Sequence, residues 1–354
     1  MRLEKLRMNL AKKENFPYFV ANIINVSYLT GFKGTYANLI VDRDRTIFIT
    51  DPRYEEYASS ILPDSVELFV QRKNLFLAIK DVLKSIKKKI LYFEPLISVS
   101  AFNTIKKELK GIRLIPAEDE VSPIRAVKDA GEIEIIKKAV AIADGCFNDL
   151  LKILKPGITE WDISVEIENY YRKNGCRKSS FDSIVASGKG SSMPHYSTSM
   201  KKRVEYGDML MIDMGCEYNG YNSDLTRTVF IGKITPEFRK IYNIVKKAQS
   251  AAVAAVKGGV SSGALDRIAR RVIEKEGYGK CFGHGLGHGI GLEVHEMPSL
   301  KMGSKFRIKK NTVFTIEPGI YIPDSGGVRI EDVVLATEGG CEVLTKSSKD
   351  IIII

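Results

Sequence analysis

The chain has 354 residues and a net charge of +11, with 44% apolar and 27% charged residues. That length exceeds the size at which a single hydrophobic core usually stops growing, and the composition excludes a disordered or collagen-like chain. We therefore expect two folded domains. The basic residues are scattered along helical stretches such as 84–89, with no stripe of interleaved aromatic residues, which favours a solvated surface and no nucleic-acid partner.

The cysteines and the first residues of the chain bear on its compartment. The cysteines are odd in number, widely spaced and without a C-x-x-C pair, which argues against a disulfide framework or a zinc ribbon. Residues 1–7 carry charges where a signal peptide needs an apolar core, and no run of about 18 apolar residues occurs. We therefore expect a cytoplasmic protein with no membrane partner.

Residues 17–118 alternate short apolar runs of β type with segments of helical periodicity, a pattern typical of an α/β domain. The predicted strands are Tyr18–Ala21, Asn38–Val41, Thr46–Thr50, Val66–Val70, Ile90–Phe93 and Arg113–Ile115. The predicted helices are Pro52–Ser60, Leu75–Lys88 and Ala101–Leu109. The polar segment 42–45 predicts a hairpin turn between the second and third strands.

The pattern changes near Pro123, where a long helical periodicity begins that covers 124–154 and stops at a Lys-Pro-Gly sequence. This change predicts two domains, 1–120 and 121–354.

The rest of the second domain mixes helices and strand pairs. Thr159 and Asp162 resemble an N-cap pair that begins a helix, within which Trp161 is predicted to pack in the core. Helical periodicity returns over 236–255 and 264–276, with strand pairs before and after. The second domain is therefore predicted to be α+β.

Two strand–turn–strand units in this domain each carry two acidic residues. In the first, Asn219-Gly220 is a strong hairpin turn signal, and a two-residue turn there would place Asp213 opposite Thr226, with Asp224 diagonal on the same face. In the second, Glu317 precedes a Pro- and Gly-containing turn and Glu331 follows it, so these two residues also become cross-strand neighbours.

These four acidic residues raise a charge problem. Asp213 and Glu317 each end an apolar run, a position that does not suit a surface carboxylate. Each residue alone could be solvated or salt-bridged, but four converging carboxylates would repel one another and resist burial unless cations neutralise them. The set therefore predicts a metal site.

The histidines all lie in the same domain: His195, His284, His288 and His295. Glycines alternate around His284 and His288, which leaves the backbone open to close approach, so at least one imidazole is predicted to bind metal. The glycine run is not a dinucleotide-binding loop, because no helical pattern with an acidic residue about 20 positions on follows it.

Taken together, these residues resemble the pita-bread metallopeptidases, in particular aminopeptidase P and prolidase. Segments 25–32 and 50–54 look like the creatinase-type N-terminal domain of that family, and 125–129 resembles the start of its catalytic domain. The resemblance covers nearly the whole chain. It implies an N-terminal creatinase-type α/β domain followed by a pita-bread catalytic domain, which makes the chain α/β and α+β in class.

The resemblance also implies a set of metal ligands. The family ligands fall on Asp213, Asp224, His288, Glu317 and Glu331, with Asp224 and Glu331 bridging two divalent ions. Oxygen-rich ligation with one imidazole suits Mn, Co, Fe or Zn. A hydroxide bridging the metals would then be the nucleophile.

Further roles follow from the same resemblance. Glu317 would act as proton shuttle, and His195 and His295 would hydrogen-bond the substrate and the oxyanion of the transition state. His284 would line the substrate pocket, and Tyr321 and Arg329 would either support the metal ligands or contact the oxyanion.

One departure bears on the substrate. Prolidases often have a basic residue four positions after the histidine that corresponds to His295, where it can hold the carboxylate of a dipeptide, and here that residue is Ser299. We therefore predict a metal-dependent Xaa-Pro aminopeptidase acting on peptides with proline second, with a homodimer implied by the family. An Xaa-Pro dipeptidase is the alternative, and a non-catalytic binding module of the same fold is the alternative from a different class.

Overall fold

The computed structural model describes residues 2–95 and 97–354. Contacts between Cα atoms divide the chain into two compact units, Met1–Arg125 and Ala126–Ile354, so the division falls at residue 125 where the sequence pattern placed it at 120. Among the described residues, no helix combines the length and apolarity needed to cross a membrane.

The first unit is built on one mixed sheet. Its strands are β1 Tyr18–Val20, β2 Asn38–Val41, β3 Thr46–Thr50, β4 Glu67–Val70, β5 Ile90–Phe93 and β6 Arg113–Pro116. Its helices are α1 Arg2–Lys13, α2 Ile23–Thr30, α3 Glu55–Ile61, α4 Leu75–Ser85, α5 Val99–Glu108 and α6 Ser122–Arg125. The strand order is β4-β3-β2-β1-β5-β6, with β1 antiparallel to β2 and parallel to β5. The predicted α/β class is confirmed, and each predicted strand agrees with the structure to within one residue at either end.

Helix α4 shows how this core forms. Ala78, Ile79, Val82 and Leu83 lie on one face at the three- and four-residue spacing of a helix, and they pack on the strand residues of the sheet. Asn74 caps the helix by accepting a hydrogen bond from the backbone N–H of Leu77. Helices α1 and α2 were not predicted.

The second unit contains longer helices and several small sheets. Its helices are α7 Ala130–Leu150, α8 Glu160–Lys173, α9 Pro236–Ala254 and α10 Ser262–Lys275. Its strands are β7 Lys178–Ser179, β8 Ile184–Ser187, β9 Met209–Met214, β10 Cys216–Tyr218, β11 Tyr221–Asn222, β12 Leu225–Phe230, β13 Gly287–Gly289, β14 Glu296–Leu300, β15 Val313–Ile316, β16 Gly319–Ile322, β17 Gly326–Arg329, β18 Asp332–Ala336 and β19 Cys341–Val343. The predicted α+β class is confirmed.

Strand alternation directs the acidic residues of the second unit away from its cores. Leu210 and Ile212 of β9 pack in a core with α7 and α8, so Asp213 points to the opposite face. In the same way, Phe314 and Ile316 of β15 pack in the core formed with α9 and α10, which leaves Thr315 on the other face. Helices α7 to α10 therefore pack on the apolar faces of β9 and β15. The polar faces of these strands lie on the side of the cavity that Asp213 lines.

Two predictions in this unit were wrong in detail. The helical run expected over 124–154 is interrupted, because α6 ends at Arg125 and α7 begins at Ala130 with a capping box of Asp129 and Glu132. Trp161, predicted to pack in the core, is 43% exposed. The N-cap prediction at Thr159 and Asp162 is confirmed, with both hydrogen bonds of a capping box present.

Candidate metal centre

The first acidic hairpin has the predicted register. Asn219 and Gly220 both adopt positive φ, at 50° and 89°, as a two-residue turn of type I′ requires. Tyr218 consequently pairs with Tyr221, and Asp213 pairs with Thr226. Asp213 and Asp224 both line the same cavity.

The second hairpin brings Glu317 opposite Glu331. The β15–β18 ladder ends at the pair Ile316 and Asp332, the β16–β17 ladder begins at Gly319 and Arg329, and both ladders share one register. Between the two ladders, Glu317 and Glu331 do not pair with each other through their backbones. Instead, the N–H of Glu331 donates to Thr226 O of β12 at 3.1 Å, and the N–H of Glu317 donates to Leu286 O, just before β13, at 2.8 Å. These two bonds connect the second hairpin to the other elements of the site.

The ligand atoms converge on His288. Asp224, His288 and Glu331 each offer one ligand atom within 4.8 Å of the others. His288 Nε2 lies 3.6 Å from Asp224 Oδ2 and 3.2 Å from Glu317 Oε1. Nδ1 of His288 lies 3.2 Å from the carbonyl oxygen of Gly289, which can only accept, so Nδ1 carries a proton and Nε2 faces the carboxylates.

The electrostatics of the cluster favour a bound cation. Burial, followed by repulsion from the neighbouring carboxylates, raises the pKa of Asp224 and of Glu331 well above the usual range. Asp213 Oδ1 and Glu331 Oε1 are buried oxygens that have no hydrogen-bond partner within the described parts of the chain. Divalent ions would satisfy those oxygens and remove the repulsion, so the residues fit the metals that the sequence predicts.

Glu317 and His288 form a pair within this cluster. Burial alone would raise the pKa of Glu317, but its hydrogen bond with His288 and the charge of that ring lower the pKa to about 2. Burial alone would lower the pKa of His288, and the same Glu317 interaction raises it. Metal ligation through Nε2 requires that nitrogen to lose its proton, so metal binding is coupled to proton release here.

A second layer of side chains orients the carboxylates. Thr226 Oγ1 donates to Glu331 Oε2 at 2.7 Å and accepts from Arg329 Nε at 3.1 Å. The other end of the Arg329 guanidinium donates to Asp213 Oδ2 at 2.5 Å. Thr315 Oγ1 donates to Glu317 Oε1 at 3.1 Å. Neither threonine is among the site residues predicted from the sequence, although the predicted register already places Thr226 opposite Asp213.

Replacing Thr226 by Val is expected to weaken metal binding by about 10- to 100-fold, because the isosteric side chain cannot hold Glu331 or accept from Arg329. Thr226→Ser should recover most of the affinity, since it keeps the hydroxyl. Titration of each metal-stripped variant with Mn²⁺ measures its metal affinity. Equal affinities for Thr226→Val and the unmodified protein would contradict an orienting role.

The remaining predicted residues surround a cavity of about 490 Å³. His195, His284 and His295 line it together with the five proposed ligands, and the ring of His295 lies 4.2 Å from that of His288. Tyr321 is 6% exposed and lies behind the wall, where its hydroxyl accepts from Arg329 at 2.8 Å.

The hydrogen bonds of His284 have a defined direction. Its Nδ1 lies 2.8 Å from Gly285 O and must donate, so Nε2 accepts from the Tyr321 hydroxyl at 2.9 Å. Burial lowers the pKa of His284, in agreement with a neutral ring. Both ring nitrogens are thus engaged by the protein, which fixes His284 as part of the wall.

A cluster of four carboxylates and one imidazole, opening into a cavity of an α+β unit, fits a centre of divalent metal ions. The chain matches metallopeptidase family M24 over residues 134–338 and the Creatinase/Prolidase N-terminal domain over residues 2–127. It belongs to metallopeptidase family M24, and the predicted resemblance to the pita-bread metallopeptidases is confirmed.

Relatives match this chain over nearly its full length. The chain is 38% identical over 355 residues to an Xaa-Pro dipeptidase of Pyrococcus furiosus, covering 99% of both chains. It is similar to the solved structure of an Xaa-Pro dipeptidase from Bacillus anthracis, with 39% identity, a TM-score of 0.93 and coverage of 100% of this chain and 99% of that one. The X-Pro aminopeptidase from Thermotoga maritima is similar at 37% identity and a TM-score of 0.85, with coverage of 95% and 97%.

Proposed function

We propose that this protein is an Xaa-Pro dipeptidase that uses two divalent metal ions. The relatives favour this activity over the aminopeptidase predicted from Ser299, because an Xaa-Pro dipeptidase matches at 38% identity over nearly the full length and another superimposes with a TM-score of 0.93. The aminopeptidase is the second candidate, since the Thermotoga maritima enzyme is nearly as similar. The cytoplasmic location and the homodimer stay predictions.

The observation that carries the proposal is the set of buried carboxylates with unpaired oxygens. In this assignment Asp213, Asp224, His288, Glu317 and Glu331 would hold the metals, with Asp224 and Glu331 in the shared positions that the family resemblance implies. Bound ions would supply Lewis acidity and a water of lowered pKa. Mn, Co, Zn and Fe all suit these donors.

The side chains around the ions would each have a separate role in hydrolysis. Glu317, held by Thr315, is placed to accept a proton and pass it to the leaving proline nitrogen. His195 and His295 are exposed on the cavity wall, where an N–H can donate to the oxygen of the scissile carbonyl as its charge develops. Arg329, in the cavity wall, holds Asp213 in place, and Tyr321, behind the wall, holds both Arg329 and His284.

Hydrolysis of Gly-Pro, compared with that of a longer peptide with proline second, tests the proposal. Metal-stripped protein supplemented with Mn²⁺, Co²⁺ or Zn²⁺ is expected to cleave the dipeptide with little turnover of the longer peptide, and a chelator should abolish the reaction. The reverse preference would establish the aminopeptidase. If neither peptide were cleaved with any metal, the non-catalytic binding module would be the better interpretation.

A further inference from the structure

The cavity wall contains two cations in very different surroundings. Arg329 is 3% exposed, and its guanidinium donates four hydrogen bonds within the protein, to Thr226, Tyr321, Asp213 and the carbonyl oxygen of Pro194. Its charge is thus already engaged by the protein. Lys301 is exposed and lines the same cavity. Within residues 2–95 and 97–354, no hydrogen bond or ion pair engages its ammonium group.

The sheet fixes where Lys301 lies. Ser299 of β14 pairs with His288 of β13, and Leu300 pairs with Gly287. Leu300 is the buried last residue of β14, and Lys301 follows the end of the strand, where it lines the same cavity wall as Ser299 at most about 7 Å further along the chain. Lys301 therefore lies two residues beyond Ser299, the residue directly opposite a metal-site imidazole.

Gly285 permits this placement. A Cβ atom at residue 285 would lie 3.0 Å from Leu300 O and 3.1 Å from the Cβ of Lys301. The chain carrying Lys301 therefore passes close against the glycine-rich segment that holds His284 and His288. This proximity keeps the start of the lysine side chain at the cavity wall.

We propose that the ammonium of Lys301 binds the free carboxylate of the residue that follows the scissile bond, with the hydroxyl of Ser299 as a second donor. This inference rests on the proposed dipeptidase function. A dipeptide held with its scissile carbonyl at the carboxylate cluster ends one residue, or about 3.5 Å, beyond it. A longer peptide or an amide presents an uncharged group at that place.

The same contact would compensate for the absence of a basic residue at 299. Lys301 lies two positions further along the chain on the same cavity wall, and the four-carbon stem of its side chain can reach back toward the cluster. A lysine ammonium binds a carboxylate as a point charge. Compared with a basic residue at 299, Lys301 would therefore bind the carboxylate in a different geometry but with the same positive charge.

Lys301→Gln tests this directly. Its KM for Gly-Pro is expected to rise about 10- to 100-fold with a smaller change in kcat, while turnover of Gly-Pro amide stays as in the unmodified enzyme. Lys305→Gln removes a nearby exposed lysine that does not line the cavity and is the matched control. Melting temperatures of all variants should agree, because both lysines are exposed.

Rescue adds a second readout. Adding Ser299→Arg to Lys301→Gln should restore a low KM for Gly-Pro, because it returns a cation to the same cavity wall. An unchanged KM ratio between Gly-Pro and its amide in Lys301→Gln would overturn the anchor while leaving the dipeptidase in place. Absence of Gly-Pro turnover by the unmodified, metal-loaded enzyme would overturn both.

Discussion

Replacing Asp224 by Asn is expected to abolish metal binding at both sites and to lower the rate of Gly-Pro hydrolysis by at least about 100-fold. Asp224 is 5% exposed and its Oδ2 lies 3.6 Å from His288 Nε2, so it contributes to the centre of the cluster. An amide of the same size keeps the packing but cannot bridge two cations with full negative charge. Metal analysis by mass spectrometry, with activity beside it, measures the effect.

The same substitution should make the metal-free protein more stable. Burial and the charges of Glu331, Asp213 and Glu317 raise the pKa of Asp224, which means that the ionised cluster opposes folding when no cation is present. A neutral side chain at 224 relieves that repulsion. The melting temperature of the metal-free variant is therefore expected to exceed that of the metal-free parent.

Asp208→Asn is the control for both measurements. Asp208 is half-buried and burial also raises its pKa, but it lies outside the cavity and accepts a hydrogen bond from the N–H of Glu205. This variant should bind two metals and keep its activity. Full activity with two metals bound in Asp224→Asn would contradict the bridging role.

The register of the metal centre could be predicted from sequence because it depends on local signals. Asn219 and Gly220 accept positive φ, and a two-residue turn leaves one possible pairing, which is why Asp213 was correctly placed opposite Thr226. Period-two alternation in the adjoining strand then indicated which side chains leave the core.

The long-range contacts could not be predicted in this way. Thr226 meets Glu331 across 105 positions of sequence and Arg329 meets Asp213 across 116, and no periodicity in the chain relates these segments. The position of Lys301 in the cavity likewise depends on the approach of β14 to Gly285. The aminopeptidase prediction depended on Ser299 alone, because no sequence signal places Lys301 in the cavity.

Trp161 was misplaced for a different reason. Its helix buries Ile163, Ile167 and Tyr171, which recur every four residues, and Trp161 lies two positions before the first of them. Two residues correspond to about 200° of rotation, so the periodicity itself puts this ring on the solvent side. Residue type was given more weight than its place in the pattern.

Arg329→Met is expected to lower the free energy of unfolding of the metal-free protein by about 3–5 kcal/mol, because it leaves the charge of Asp213 without a partner in a largely buried position. Bound metal would compensate that charge, so the destabilisation should be smaller when the centre is loaded. Urea unfolding with and without Mn²⁺ measures the free energy of unfolding in each state. Arg203→Met, which removes an exposed arginine bonded to Gly157 O, should change the free energy of unfolding by no more than about 0.5 kcal/mol in either state.

A double variant separates the ion pair from the packing of the arginine. If the cost arises from the unpaired carboxylate, Asp213→Asn should recover much of the stability lost in Arg329→Met, and the two changes together should cost less than their sum. Additive effects would show instead that Arg329 stabilises the fold through Tyr321 and Thr226. In that case the guanidinium would hold the cavity wall together, and Asp213 would depend on the metal alone for its countercharge.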